Sequence, residues 1–384
     1  MLRVLVAGGG VLGTFHAMEA LARGCSVVHF ESSAEPQAAT PRSPGALSFS
    51  RAAPGLELDL CLESARRWSE LAQHREGLVR HLGSTVVATD EGQDAVLRSL
   101  CGRADARERG WEHLDAAALG GRQPLLAGAV VGALRSELDL VVEPRHLLEH
   151  LRETMSGDGR YRFAGGVDIR DVAPGALTDR NGRVHRGDLV VLCPGSRADL
   201  GISLTKQPSP LRAARIQVVQ TERMEGDLGA PVSDLAALAS SPLGRATAIE
   251  APGTDPRLGS TRVALTCVQR RNRTLTIGET RDYDEPFGFE VSQRPIAALL
   301  ESLRRILGTD VPPLTHQWAG QVRHCADGRL WLREDLDEAT TLVTCADQRG
   351  ITLAPVIAAD TFDWVMDGTD SGATHPGADG ASAR

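Results

Sequence analysis

The sequence predicts an α/β fold in which a parallel-sheet domain, assembled from separated segments, is interrupted by a domain built on an antiparallel sheet. Three observations carry that expectation. The first thirty-one residues read as strand, glycine turn, helix and strand. A buried strand at residues 188–193 and a strand, turn and helix over residues 341–366 supply further elements of that kind far along the chain. Between them, residues 215–221, 246–250, 263–269 and 275–278 alternate or run apolar, as antiparallel strands do.

Residues 2–7 (LRVLVA) are an apolar, β-branched run suited to a fully buried strand. They lead into Gly8-Gly9-Gly10-Val11-Leu12-Gly13, a match to G-x-G-x-x-G. Residues 14–23 have helix composition and Gly24 closes the helix; residues 26–30 (SVVHF) form a second strand ending on Glu31. In such a unit Gly8 permits the tight turn, Gly10 lets the backbone approach a pyrophosphate, and Gly13 lets the helix lie against the strand. The helix start at Val11 and Leu12 offers unpaired N–H groups to phosphates. Glu31 is placed to accept hydrogen bonds from ribose hydroxyls and would repel a 2′-phosphate, which disfavours NADP. The unit predicts a dinucleotide site.

Residues 32–54 are a long polar, Pro- and Ala-rich connection, and a stretch of that length inside a domain is usually functional. Following the ribose-binding acid, it is placed to run toward the reactive end of a dinucleotide. Residues 56–82 and 91–109 read as helices, 84–88 as a strand, and 111–119 as a short helical turn. Residues 128–134 and 138–142 read as strands, and Pro144 starts a helix to Met155. Residues 161–172 and 183–185 are strands around the turn Asn181-Gly182. The strand 188–193 closes on Pro194-Gly195-Ser196, and 294–307 is an amphipathic helix. The chain returns through 318–332 and the strand 341–344 to a last helix, 351–366. The expected division is 1–83, 140–200 and 315–370 for the nucleotide domain, and 84–139 with 201–314 for the substrate domain. Residues 371–384 are an expected disordered tail.

A net charge of −8 over 384 residues argues against general affinity for nucleic acid or anionic membrane. No apolar run approaches a membrane span, and the first strand starts at residue 2, so a cytoplasmic protein is expected. Seven dispersed cysteines without C-x-x-C read as reduced thiols. No metal-ligand spacing and no G-x-S-x-G nucleophile elbow occurs.

The segments VAGGGVLG with Glu31, DLVVLCPGS and LVTCADQRGITLAP together resemble the FAD-dependent D-amino-acid oxidase, glycine oxidase and sarcosine oxidase superfamily over nearly the whole chain. ATPRSPG, VVEPRHLL, ARIQVVQT and SQRPIAALLESLRRILG are most similar to its aminophosphonate oxidoreductase branch. The resemblance implies a Rossmann-like FAD-binding domain, non-covalent FAD and an antiparallel-sheet substrate domain. It implies a small anionic amine as substrate and oxygen or another electron acceptor as partner. An aminophosphonate such as 2-aminoethylphosphonate or its 1-hydroxy analogue is the first expectation, with glycine, sarcosine or a D-amino acid as the alternative. A flavin-binding protein or subunit without oxidase activity is the second alternative. It is motivated by Arg42-Ser43-Pro44-Gly45-Ala46 in place of Arg-Asn-Phe-Gly-Gln, and by Asp347-Gln348-Arg349-Gly350-Ile351-Thr352 in place of Gly-Gly-Lys-Gly-Met-Thr. An NAD-dependent dehydrogenase is the remaining reading of the same fingerprint, disfavoured by the terminal glycine turn and helix. The substrate's stereochemistry and the oligomeric state are not encoded in these motifs.

The superfamily's last turn faces the flavin, so the resemblance places Gly350, Ile351 and Thr352 at the cofactor and Arg349 near its N1–C2=O edge, with Gly195 and Gly45 as further cofactor contacts. Arg323, in Gly320-Gln321-Val322-Arg323, is the candidate anion ligand, and Arg42, on the connection after Glu31, is a candidate for the same site. Arg212, Arg215, Arg271, His316, His324 and Tyr283 are secondary candidates. Cys325 is considered as a covalent flavin tether and set aside, because its flanking sequence does not match.

Overall fold

The computed structural model describes residues 1–74, 77–196, 211–253, 256–284, 286–287, 290–344 and 349–374. Its first sheet has six strands, in the order Leu332–Asp337, Thr340–Thr344, Leu189–Leu192, Arg3–Ala7, Ser26–Glu31 and Tyr161–Gly165. Five run parallel and the edge strand Leu332–Asp337 is antiparallel. The apolar runs of the central strands are explained by burial on both faces. Val4, Val6, Val27 and Val191 pack against the helices Val11–Ala22 and Gly350–Phe362. Leu5, Val28, Val190 and Leu192 pack against Ile169 and Leu177 of a three-stranded sheet on the other face. The helix Gly350–Phe362 is apolar all round, and its side chains are buried from Ile351 onward between Val11–Ala22 and Leu56–His74.

The second large sheet has eight strands, in the order Leu314–Cys325, Leu211–Arg223, Thr274–Asp282, Arg262–Gln269, Val232–Ser233, Ser84–Ala88, Gly132–Ser136 and Trp111–Asp115. It is antiparallel apart from the short pairing of Val232–Ser233 with Ser84–Ala88. The helix Gln293–Leu307 buries Ile296, Leu299, Leu303 and Ile306 against Leu265, Leu275 and Ile277. The strand Leu314–Cys325, all but its first residue within the segment 315–370 that the sequence groups with the nucleotide domain, forms an edge of this sheet.

Several elements differ from the sequence reading for local reasons. The helix expected over 56–82 ends at His74; Gly77 has φ +82°, and Val79–Arg80 pairs with Leu140–Val142. The helix from Glu91 stops at Cys101 before Gly102. Residues 111–119 are a strand to Asp115 and then a helix, Ala116–Arg122, capped by Asp115 accepting from the Ala118 amide. The strand read at 128–134 lies at Gly132–Ser136. Residues 161–172 break at Gly166 (φ +75°) into strands of two different sheets. Residues 246–250 form no strand; the helix Pro242–Ala246 ends there in a turn. The connection 32–54 carries a helical turn at Ala39–Arg42, the strand Ala46–Leu47 against Leu140–Val142, and a further turn at Phe49–Arg51.

Candidate active site

A cleft of about 650 Å³ opens beyond the carboxyl ends of the parallel strands, lined by Gly8, Gly10, Val11, Leu12, Gly13 and Glu31 at one end. A Cβ at Gly8 would lie 2.1 Å from the Cys193 carbonyl oxygen, and one at Gly13 would lie 1.9 Å from that of Gly8. A Cβ at Gly10 would meet nothing closer than Thr40 Oγ1 at 3.7 Å, so the missing side chain of Gly10 leaves the cleft open. The first and third glycines close the backbone, and the middle one makes room for a ligand. Glu31 is anchored at the strand end, where Oε2 accepts from the Gly9 amide (2.8 Å) and Oε1 from the Ser33 amide (3.0 Å) and Ser32 Oγ (3.1 Å). A carboxylate with about four acceptor positions retains capacity for a ribose hydroxyl.

Buried His29 fixes the turn from behind. Its Nε2 lies 2.9 Å from the Gly8 carbonyl, and burial pushes its pKa down to about 4. The ring is therefore neutral, and Nε2 carries the proton that it donates to that carbonyl.

Gly195, Arg323 and Arg215 line the same cleft farther along. Arg323 Nε donates to the Ser196 carbonyl at 3.1 Å, which ties the strand Leu314–Cys325 to the turn after Leu192. Arg215 is held by the Glu290 carbonyl (3.0 Å) and Asp282 (3.2 Å).

A second cavity of about 210 Å³ adjoins the first; among the residues the two share are Val11, Thr40, Arg42, Gly320, Gln321 and Gly350. Arg42 Nη1 donates to the Ala319 carbonyl at 2.9 Å, while the Arg42 carbonyl accepts from Trp318 Nε1 at 2.9 Å. Gly45, with φ +77°, lines neither cavity; a Cβ there would lie 2.5 Å from the Val142 carbonyl oxygen, so this glycine packs the turn against its neighbours. Arg349, Gly350, Ile351 and Thr352 line the smaller cavity at the start of the helix Gly350–Phe362. Arg349 is ion-paired with Glu57, whose side chain is 1% exposed and whose Oε2 accepts from the Ala53 amide. Asp347, Gln348 and Cys345 lie outside the described residues.

The sequence reading missed two charged residues of this smaller cavity, Arg51 and Glu279. Arg51 is 7% exposed; Nη2 donates to Ser233 Oγ at 3.0 Å, and Nε is buried with no hydrogen-bond partner. Burial lowers its pKa, opposed by the charges of Asp139 and Asp234. Glu279 Oε1 lies 3.2 Å from Arg281 Nε. The signal for Arg51 was a second arginine on the long connection that already carried Arg42. Glu279 sits in a polar stretch, GETRD, with no signal of its own.

Of the secondary candidates, Arg215 lines the larger cleft and the others lie outside both cavities. His316, His324, Tyr283, Arg212 and Cys325 line neither cavity. Tyr283 stacks edge-on against His324, with ring centroids 5.7 Å apart. Arg271 lines a third cavity on the other side of the loop that carries Arg42. Among the described residues no group of three or more His, Cys, Asp or Glu could hold a metal ion, and no helix is long and apolar enough to cross a membrane.

The fold is shared with solved enzymes. Glycine oxidase from Bacillus cereus superposes with a TM-score of 0.78 at 17% identity, covering 98% of both chains. L-proline dehydrogenase from P. horikoshii gives 0.75 at 13% identity over 96% of this chain and 94% of that one. Iminodiacetate oxidase from Chelativorans sp. gives 0.73 at 18% identity over 95% of each. No curated protein matches the chain in sequence. The family model DAO, described as FAD dependent oxidoreductase, matches residues 3–364. That match spans nearly the whole chain, and the protein belongs to the DAO family of FAD-dependent oxidoreductases.

Proposed function

We propose that the protein oxidises a small amine that carries an anionic group, using non-covalent FAD held along the larger cleft. The observation that carries this reading is the smaller cavity, whose lining includes the largely buried Arg51 and the carboxylate-bearing Glu279. A cation and an acid in one small chamber match the two ends of a zwitterionic amine. The residues of the cleft fit the cofactor: Glu31 for ribose, the open Gly10 and the start of the helix Val11–Ala22 for the pyrophosphate, and the turn at Gly350 for the reactive end.

When bound, FAD supplies the two-electron acceptor for the carbon bearing nitrogen. Arg51 binds the substrate anion through its guanidinium, which gives Nη2 to Ser233 Oγ and offers charge-assisted hydrogen bonds to a carboxylate or phosphonate oxygen. Glu279 holds the amino group until it gives up its proton. Arg349, held by Glu57, and the helix start at Gly350 place positive charge beside the reactive end. The amine loses two electrons and two protons to become an imine, which water converts to an aldehyde or ketone and ammonia (a smaller amine when the substrate is secondary). Oxygen or another acceptor completes the cycle.

Arg42 and Arg51 both line the smaller cavity, and two cations suit a phosphonate dianion, which makes 2-aminoethylphosphonate and its 1-hydroxy analogue the first substrates to test. Glycine, sarcosine and D-alanine come next, supported by the shared fold with a glycine oxidase. Anaerobic mixing of the yellow protein with this panel, followed by flavin absorbance, tests the proposal. Bleaching by any of them supports it and names the anion. Bleaching by none, with dithionite still reducing the flavin and an electron-transfer protein able to do so, supports a flavin-binding redox partner instead.

A further inference from the structure

The loop that carries Arg42 lies across one face of the eight-stranded sheet and divides it. On one side is the smaller cavity, floored by Ile216, Val218 and Gly320; on the other is a third cavity of about 290 Å³, floored by Gln220, Thr276 and Trp318. This third chamber is lined by Arg145, His146, Arg270, Arg271 and Asn272 at the start of the helix Pro144–Met155. The function proposed above uses none of them.

The charge there is unbalanced. Arg270, 8% exposed, spends its donors on neutral acceptors: Nε on Thr276 Oγ1 (2.8 Å), Nη1 on the Val142 carbonyl (3.2 Å) and Nη2 on the Pro44 carbonyl. Glu143 is the one acid among the lining residues, and it is shared between Arg80 (3.0 Å) and Arg270 (3.8 Å). Arg145 makes no hydrogen bond or ion pair among the described residues; its guanidinium lies 5.1 Å from the Trp318 ring centroid. Arg271 gives Nη2 to the Gly77 carbonyl at 3.1 Å and keeps its other donors. The cations strain against one another: burial lowers Arg270 to about 10, and Arg80 and Arg145 add to the shift. Three guanidinium groups, those of Arg145, Arg270 and Arg271, line the cavity with one acid, Glu143, in a protein whose net charge is −8.

We propose that this third cavity is a binding site for a dianionic oxyanion of the phosphate type, held by Arg145 and Arg271 over the fixed charge of Arg270. Arginine forks with unused donors match tetrahedral oxyanions, and a dianion offsets the excess of two positive charges. The site is coupled to the loop of the smaller cavity. Trp318, under Arg145, donates its indole N–H to the Arg42 carbonyl, and Pro41 and Ser43 belong to the same wall. An anion that draws Arg145 toward itself alters the surroundings of the indole that holds Arg42.

The test is calorimetric titration of the holoenzyme with inorganic phosphate at constant ionic strength in chloride, with tryptophan emission recorded in parallel. The expected result is saturable binding of one equivalent and a change in emission. In R145A/R271A affinity should fall at least about tenfold, for the loss of two charged donors, and the emission change should vanish while flavin content and amine-driven reduction stay unchanged. Ethyl phosphate distinguishes the source: tighter binding than inorganic phosphate identifies a phosphate ester, weaker binding the free ion. Absence of saturable phosphate binding would overturn the proposal. So would binding that persists in R145A/R271A and is lost in Arg51→Lys, which would place the anion in the smaller cavity.

Discussion

Trp318 and Arg42 are tied by two hydrogen bonds at one point of the strand: the indole Nε1 donates to the Arg42 carbonyl at 2.9 Å, and Arg42 Nη1 donates to the carbonyl of Ala319, the next residue after Trp318, at 2.9 Å. The pair pins the long connection after Glu31 to the edge strand of the eight-stranded sheet. It thereby joins the cofactor cleft to the wall of the smaller cavity. Trp318→Phe keeps the ring and removes the donor. The expected outcome is a folded yellow protein whose KM for the amine rises several-fold, as one hydrogen bond of about 1 kcal/mol is lost. Steady-state kinetics of the variant check it.

Two glycines of the G-x-G-x-x-G turn, Gly13 and Gly10, fail in different ways when enlarged. Gly13→Ala drives a Cβ to within 1.9 Å of the Gly8 carbonyl oxygen, so the apo-protein itself should lose about 2 kcal/mol or more. Gly10→Leu meets open cleft, so the apo-protein should keep its Tm and lose its flavin. Flavin-to-protein absorbance ratios and melting curves of the two variants separate these outcomes.

Much of the nucleotide half was legible in the sequence because a strand buried on both faces is a continuous apolar run, and residues 2–7, 26–30 and 188–193 are such runs. The glycine turn was legible because its constraint is local. The smaller cavity was not. Arg51 reaches it through an ordered turn inside a stretch that reads as Pro/Ala-rich loop, and Glu279 through a strand from another sheet. Arg323 was read by pattern as an anion ligand, and it lines the larger cleft with the preceding residues of the strand Leu314–Cys325. Gly45 was read as a cofactor contact, and a turn glycine and a ligand-facing glycine look alike in sequence; here a Cβ would meet Val142 and Pro144.

Arg349 and Glu57 form a buried ion pair. Arg349→Met strands the Glu57 carboxylate, and the expected cost is about 3–5 kcal/mol. Adding Glu57→Gln to that variant should recover part of it, since the uncompensated charge is then gone. Urea unfolding of the wild type, both single variants and the double variant gives the cycle.

Stability should fall as the pH drops below neutrality. Burial pushes His16 and His29 from 6.5 down to about 4. The unfolded chain takes up these protons near pH 6.5 and the folded chain not until about pH 4. Their contribution is complete above pH 6.5 and is lost across that window. Asp234 acts in the opposite sense: burial raises it from 3.8 to about 6, so its contribution is lost as the pH rises through that range. The urea midpoint should drop between pH 7 and pH 5, and His29→Gln should shrink that drop.

The central claim is that one small chamber recognises both ends of its substrate, with Arg51 taking the anion. The most direct measurement is the anaerobic rate of flavin reduction by matched pairs, 2-aminoethylphosphonate against ethylamine and glycine against methylamine, in the wild type and in Arg51→Lys. The account predicts that at least one anionic amine bleaches the flavin far faster than its neutral-tailed partner. It also predicts that Arg51→Lys raises the half-saturating concentration of that amine about tenfold or more while the protein stays yellow. Equal rates for both members of each pair, or an anionic preference untouched by Arg51→Lys, would contradict it.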